Sequence, residues 1–121
     1  MRSTITTSDY RAAQARAMTE DELLATVREM AVTLGWRTYH THDSRRSETG
    51  WPDLVLVRDR RFLVRELKSM TGRVTPAQDA WLTDLAIAGL DVGVWRPSDL
   101  LDGSILTQLS EPAHNQPRRT P

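Results

Sequence analysis

Two β-rich runs, Asp53 to Val57 and Phe62 to Leu67, flank the tetrapeptide Arg58-Asp59-Arg60-Arg61. No other stretch constrains the fold as tightly, because strands this close in sequence pair as an antiparallel hairpin. With Asp59 and Arg60 as a two-residue turn, Arg58 pairs with Arg61, Val57 with Phe62, Val55 with Val64, and Asp53 with Glu66. Directly opposed residues have Cβ atoms roughly 5 Å apart on one face. The register therefore predicts two carboxylates together at the open end of the hairpin. Lys68, two residues past Glu66, shares their face by strand alternation.

Two carboxylates so placed repel unless a positive charge lies between them. A divalent cation such as Mg²⁺ does this with a few hard oxygens, keeping water or substrate phosphate as its other ligands. A lysine beside it can hold a nucleophilic water or steady charge on a phosphate. Lys68 is the only lysine among sixteen basic residues. An ammonium is a compact, tunable point charge that guanidinium does not replace. The competing reading is a set of ordinary surface ion pairs at strand ends.

Helices are expected on either side of the hairpin. Thr19 and Glu22 make a capping box, followed by Leu23, Val27, Met30, Ala31 and Leu34 at helical spacing. Gly35 ends that helix. Glu20 lies on the apolar stripe and points toward the sheet, as a helix-dipole partner or a site member. Glu22 lies off the stripe and belongs to the cap. Trp36 to His40 reads as a strand, and residues 41–52 as a loop. Thr75-Pro76 opens a second helix with the stripe Ala77, Trp81, Leu82, Leu85 and Ala88, closed by Gly89. Gln78, in its first turn, falls near the inward face, where it caps locally or joins the site. Asp91 to Trp95 is a fourth strand, and Pro97-Ser98 begins a last helix ending near Leu109. The order α-β-β-β-α-β-α predicts an α/β fold, a mixed central sheet flanked by helices. Residues 1–17 are expected as a flexible N-terminal segment, either a frayed helix or a disordered lead-in, and 111–121, with three prolines, as a disordered tail.

A chain of 121 residues suits one domain. Sixteen basic and sixteen acidic residues give no net charge, so a nucleic-acid partner must be argued from a site. Cysteine is absent, which excludes disulfides and thiolate chemistry. No apolar run suggests a membrane span or signal peptide, leaving the cytosol as the default expectation.

Gly50-Trp51-Pro52-Asp53, Glu66-Leu67-Lys68, Gly72, Thr75-Pro76 and Gln78 resemble the PD-(D/E)xK nuclease superfamily, and within it the VRR-NUC group with its small stand-alone phage and bacterial members. Holliday-junction resolvases are relatives. Trp36 to His40, Asp43 to Ser47 and Val94-Trp95-Arg96-Pro97 extend the likeness, which covers roughly residues 19–102.

The resemblance implies a restriction-endonuclease-like core over residues 18–110 and hydrolysis of DNA phosphodiester bonds, with branched DNA as the structure-specific option. It implies Mg²⁺ or Mn²⁺ on Asp53, Glu66 and the Leu67 carbonyl, with Lys68 positioning the attacking water. Glu20 and Gln78 match the family's helix glutamate and its supporting glutamine. It also places the chain in a bacterial or phage-infected cytosol. Substrate contacts are expected from Arg45 and Arg46, with His40, Ser44, Ser47 and Arg73 nearby, against the reading of a solvated polar loop. His40 is read as a strand-end histidine before a general base. Trp36, Trp81 and Trp95 are expected in the core or against a partner, and Trp51 in packing before base stacking. Small size and neutral charge favour a homodimer. The alternative function is a non-catalytic nucleic-acid-binding or structural module on a nuclease-like fold.

Overall fold

The computed structural model of the chain describes residues 4–41 and 48–112. Strands β2 (Leu54–Arg58) and β3 (Arg61–Leu67) form the hairpin in the expected register, with Arg58 opposite Arg61, Val57 opposite Phe62 and Val55 opposite Val64. Asp59 turns the chain at φ 51°, a left-handed conformation that Asp tolerates better than most residues. The ladder closes at Leu54 opposite Arg65, so Asp53 stands one residue outside it. Strand β1 (Arg37–His40) adds antiparallel to β2. Strand β4 (Asp91–Trp95) adds parallel to β3, giving a mixed sheet of order β1-β2-β3-β4. A parallel pair needs a crossover, here supplied by a helix, Pro76–Ile87.

In chain order the helices are α1 (Thr7–Ala17), α2 (Glu20–Thr33), α3 (Pro76–Ile87), α4 (Pro97–Leu101) and α5 (Ser104–Ser110). Helix α2 starts on the predicted capping box, with Thr19 Oγ1 accepting from the Glu22 N–H and Glu22 from the Thr19 N–H, both at 3.1 Å. The stretch expected as a flexible segment carries helix α1. Thr6 and Asp9 cap it reciprocally, but it buries only Ala15 and packs beside α4. So short an apolar contact leaves no helical stripe to detect in sequence. The single C-terminal helix expected is two, α4 and α5, because Gly103 at φ 85° turns the chain between them.

The core lies on one face of the sheet. Leu54, Leu56, Leu63, Leu67 and Trp95 pack against Leu23, Val27 and Ala31 of α2, against Ile105 and Leu109 of α5, and against Trp36. Trp36, expected to begin a strand, instead precedes β1 in this core. Arg58 and Arg61 stack over its indole, 4.8 and 5.1 Å from the ring centre. Arg58 then donates to the Leu34, Leu109 and Glu111 carbonyls, and Arg61 to those of Gln108 and Glu111. Carbonyls that a helix end leaves without intrahelical donors are thereby satisfied. Of the predicted tail, Glu111 is held by these bonds, and residues 113–121 lie outside the described residues.

The second face is only partly covered. Helix α3 lies against β4, and Val64 is buried, whereas Tyr39, Val57 and Phe62 remain exposed. The predicted α3 stripe is correspondingly weak, since Leu82 is buried but Ala88 is exposed. Among the described residues, no helix is long and apolar enough to cross a membrane.

Candidate functional site

The site begins where a loop is pressed onto a helix. Gly50 has φ 88°, and a Cβ on it would lie 2.5 Å from the Ala77 carbonyl carbon. Only glycine allows both this conformation and this approach to the first turn of α3. Trp81 Nε1 donates to the Thr49 carbonyl at 3.2 Å, and Trp51 meets Trp81 edge to face, 5.0 Å between ring centres. Both indoles therefore hold the loop. Pro52 is fully buried, and the Thr41 N–H donates to the Asp53 carbonyl. The Asp53 side chain is thus delivered to the end of β3, where its Oδ2 accepts from the Leu67 N–H at 2.9 Å.

Glu66 is 1% exposed. Its Oε1 accepts from Gln78 Nε2 at 3.1 Å and lies 3.8 Å from Lys68 Nζ. Its Oε2 is buried and has no hydrogen-bond donor. Burial, first, and then proton sharing with Asp53 and the Asp53 charge push the Glu66 carboxyl up to about 9, against the pull of Lys68. The pair has two ways to relieve itself, a shared proton or a bound cation.

Lys68 is 9% exposed. Its N–H donates to the Trp95 carbonyl at 3.1 Å, extending the β3–β4 ladder by a residue. Its Nζ stands between Glu66 and Glu20 Oε1, 4.0 Å away. Glu20 thus reaches the site from α2 while Glu22 is spent on the cap. Gln78 performs both tasks weighed for it. Its Oε1 accepts from the Thr75 N–H at 2.9 Å while its Nε2 holds Glu66.

His40 pairs with Leu54, which pairs with Arg65, so alternation sets it on the sheet face opposite Glu66. Arg73 is exposed in the loop leading to α3. Ser44, Arg45, Arg46 and Ser47 lie outside the described residues. One residue carried no chemical signal in the sequence: Arg96, whose guanidinium binds the loop just after Lys68. Its bonds cross from the start of α4 to that loop, and no local pattern encodes them.

The donor set fits a hard divalent cation. Asp53 and Glu66 supply two carboxylates, and Glu66 Oε2 is a buried acceptor to which no N–H donates. Among the described residues, no three His, Cys, Asp or Glu side chains are grouped so as to hold a metal ion by themselves, so a cation here would draw its remaining ligands from backbone, water or substrate.

The model of the VRR-NUC domain family matches residues 4–99, a span that runs from before α1 into α4 and contains Glu20, Asp53, Glu66, Lys68 and Gln78. No curated protein and no solved structure matches the chain.

Proposed function

The chain belongs to the VRR-NUC domain family, which implies a nuclease-type function, and we propose that it is a divalent-metal-dependent nuclease hydrolysing DNA phosphodiester bonds at Asp53, Glu66 and Lys68. One observation carries the reading: Glu66 is buried beside Asp53, and its Oε2 has no donor other than a proton the two carboxyls share. A buried carboxylate left without a donor costs stability, and at a site this is the cost of keeping a cation position open.

Asp53, Glu66 and the Leu67 carbonyl would hold Mg²⁺ or Mn²⁺. When bound, such an ion polarises a phosphate oxygen and lowers the pKa of water. The chain's own groups do the rest. Gln78 fixes the Glu66 rotamer through Oε1 and leaves Oε2 to the site. The Leu67 N–H fixes Asp53 in the same way. Lys68 Nζ, between Glu66 and Glu20, orients the attacking water and offsets charge on the phosphate. Water oxygen forms the new bond to phosphorus, the bond to the leaving sugar oxygen breaks, and that oxygen takes a proton.

Branched DNA, including four-way junctions, is the substrate class we propose, acted on by a homodimer. A single site reaches one strand, and a neutral chain offers little surface for two. Incubation with supercoiled, single-stranded, flapped and four-way-junction DNA in Mg²⁺, Mn²⁺ or EDTA tests the proposal. Cleavage is expected with metal and not with EDTA, and is expected to vanish in Asp53→Ala and Lys68→Ala. A wild type that cuts none of these DNAs with either metal sinks the nuclease reading.

A further inference from the structure

Lys68 immediately precedes a tight turn, Ser69 to Gly72, and that turn bears directly on the lysine. The Gly72 N–H donates to Ser69 Oγ at 3.0 Å and to the Ser69 carbonyl at 3.3 Å. A Cβ on Gly72 would lie 3.4 Å from Lys68 Cδ. Turn and side chain are therefore packed together, and a displaced turn displaces the lysine.

A single atom closes the turn from outside. Arg96 Nη1 donates to the Ser69 carbonyl at 2.6 Å and to the Gly72 carbonyl at 2.7 Å. Bonds from a guanidinium at such lengths are charge-assisted and stronger than neutral ones. Arg96 is itself anchored, since its N–H donates to Asp99 Oδ2 at 2.8 Å where α4 begins. The preceding residue, Trp95, accepts the Lys68 N–H. The lysine's backbone and the turn behind it thus hang from two consecutive residues.

We infer that Arg96 is a positioning residue, which clamps the Ser69–Gly72 turn and so holds Lys68 Nζ between Glu66 and Glu20. The inference rests on the nuclease reading of Lys68. Arg96 acts through the turn and needs no contact with metal or DNA.

Because Lys68 is the sole lysine, protein made with lysine labelled at ¹³Cε reports this side chain alone. An ordered lysine gives its two Hε protons separate signals, and a freely rotating one merges them. We expect separate signals in the wild type and merged ones in Arg96→Met. The same variant should lose about 10- to 100-fold in kcat on the DNA that the wild type cuts, with KM unchanged. Arg96→Lys, which keeps a cationic donor, should lie between. Separate signals in Arg96→Met, or merged signals with wild-type kcat, overturn the inference. If Arg96→Met does not fold, Arg96→Lys decides. Partial merging with lowered kcat at a native Tm supports the clamp, and a wild-type spectrum and kcat overturn it. A wild type that cuts no DNA overturns the nuclease reading separately, because the Hε signals need no substrate.

Discussion

Arg65 and Glu66 are consecutive on β3, nearly inaccessible, and charged in their ordinary states, yet they point to opposite faces and are treated in opposite ways. Arg65 faces α5. It donates to the carbonyls of Val64 and Asp91, to the Asp91 carboxylate and to Gln108, and lies 4.9 Å over the Trp95 ring. Burial lowers its pKa, and Asp91 opposes that shift. Glu66, on the α3 face, receives one amide bond and keeps an oxygen with no donor. A buried charge that is fully bonded braces the fold. One left short of partners marks a position kept for something else.

Substitutions separate the two roles. Glu66→Gln keeps the shape of the side chain and removes its charge. Cleavage should fall by about 10³-fold, read as kcat/KM on the best DNA substrate. Near-wild-type cleavage would remove Glu66 from the site.

Acid–base behaviour comes next in size. The folded chain holds on Glu66, up to about pH 9, a proton that the unfolded chain releases near 4.5. Stability from this group is therefore complete below 4.5 and lost as pH rises through 9. Without metal, unfolding free energy should decline between pH 5 and 8 by at most about 1.4 kcal/mol per pH unit. Millimolar Mg²⁺ or the Glu66→Gln change should flatten that slope. Urea melts across this range would measure it, and a flat metal-free profile would contradict the shift.

Arg65→Met should do the reverse of Glu66→Gln. It strips the Asp91 carboxylate of its donor, leaves Gln108 Oε1 only the Trp95 indole N–H, and should cost about 2 kcal/mol in the same melts. The value is modest because the Asp91 side chain is 57% exposed and water replaces part of the loss. The kcat of the folded fraction should not change, and a large fall in kcat would merge the two roles. Gln78→Leu removes the one donor to Glu66 Oε1 and should slow cleavage about tenfold, the smallest of these effects.

Much of this contrast was legible before any coordinates. The hairpin register follows from alternation about Asp59 and Arg60, and it brought Asp53 toward Glu66 with Lys68 beside them. The capping box Thr19–Glu22 and the N-cap pair Thr75-Pro76 are local patterns, so both helix starts were readable. A box of the same kind at Thr6 introduces α1, but no apolar stripe follows it to mark a helix in the sequence. Nothing in the sequence sets Arg65 apart within its strand, because its partners Asp91 and Gln108 lie 26 and 43 residues away.

By itself, then, the sequence determined what depends on near neighbours: the turn, the strand pairing it forces, the helix caps, and the residue types able to hold a cation and move a proton. Spacing along the chain is enough for these, because each interaction spans a few residues or one strand pair. Tertiary structure alone decided which charged groups are satisfied. It left Glu66 Oε2 without an N–H donor, gave each terminal nitrogen of Arg65 two acceptors, and brought Arg96 across 27 residues to the carbonyl of Ser69. Burial and partner geometry are set by elements that meet only when the sheet is complete, and no local pattern records them.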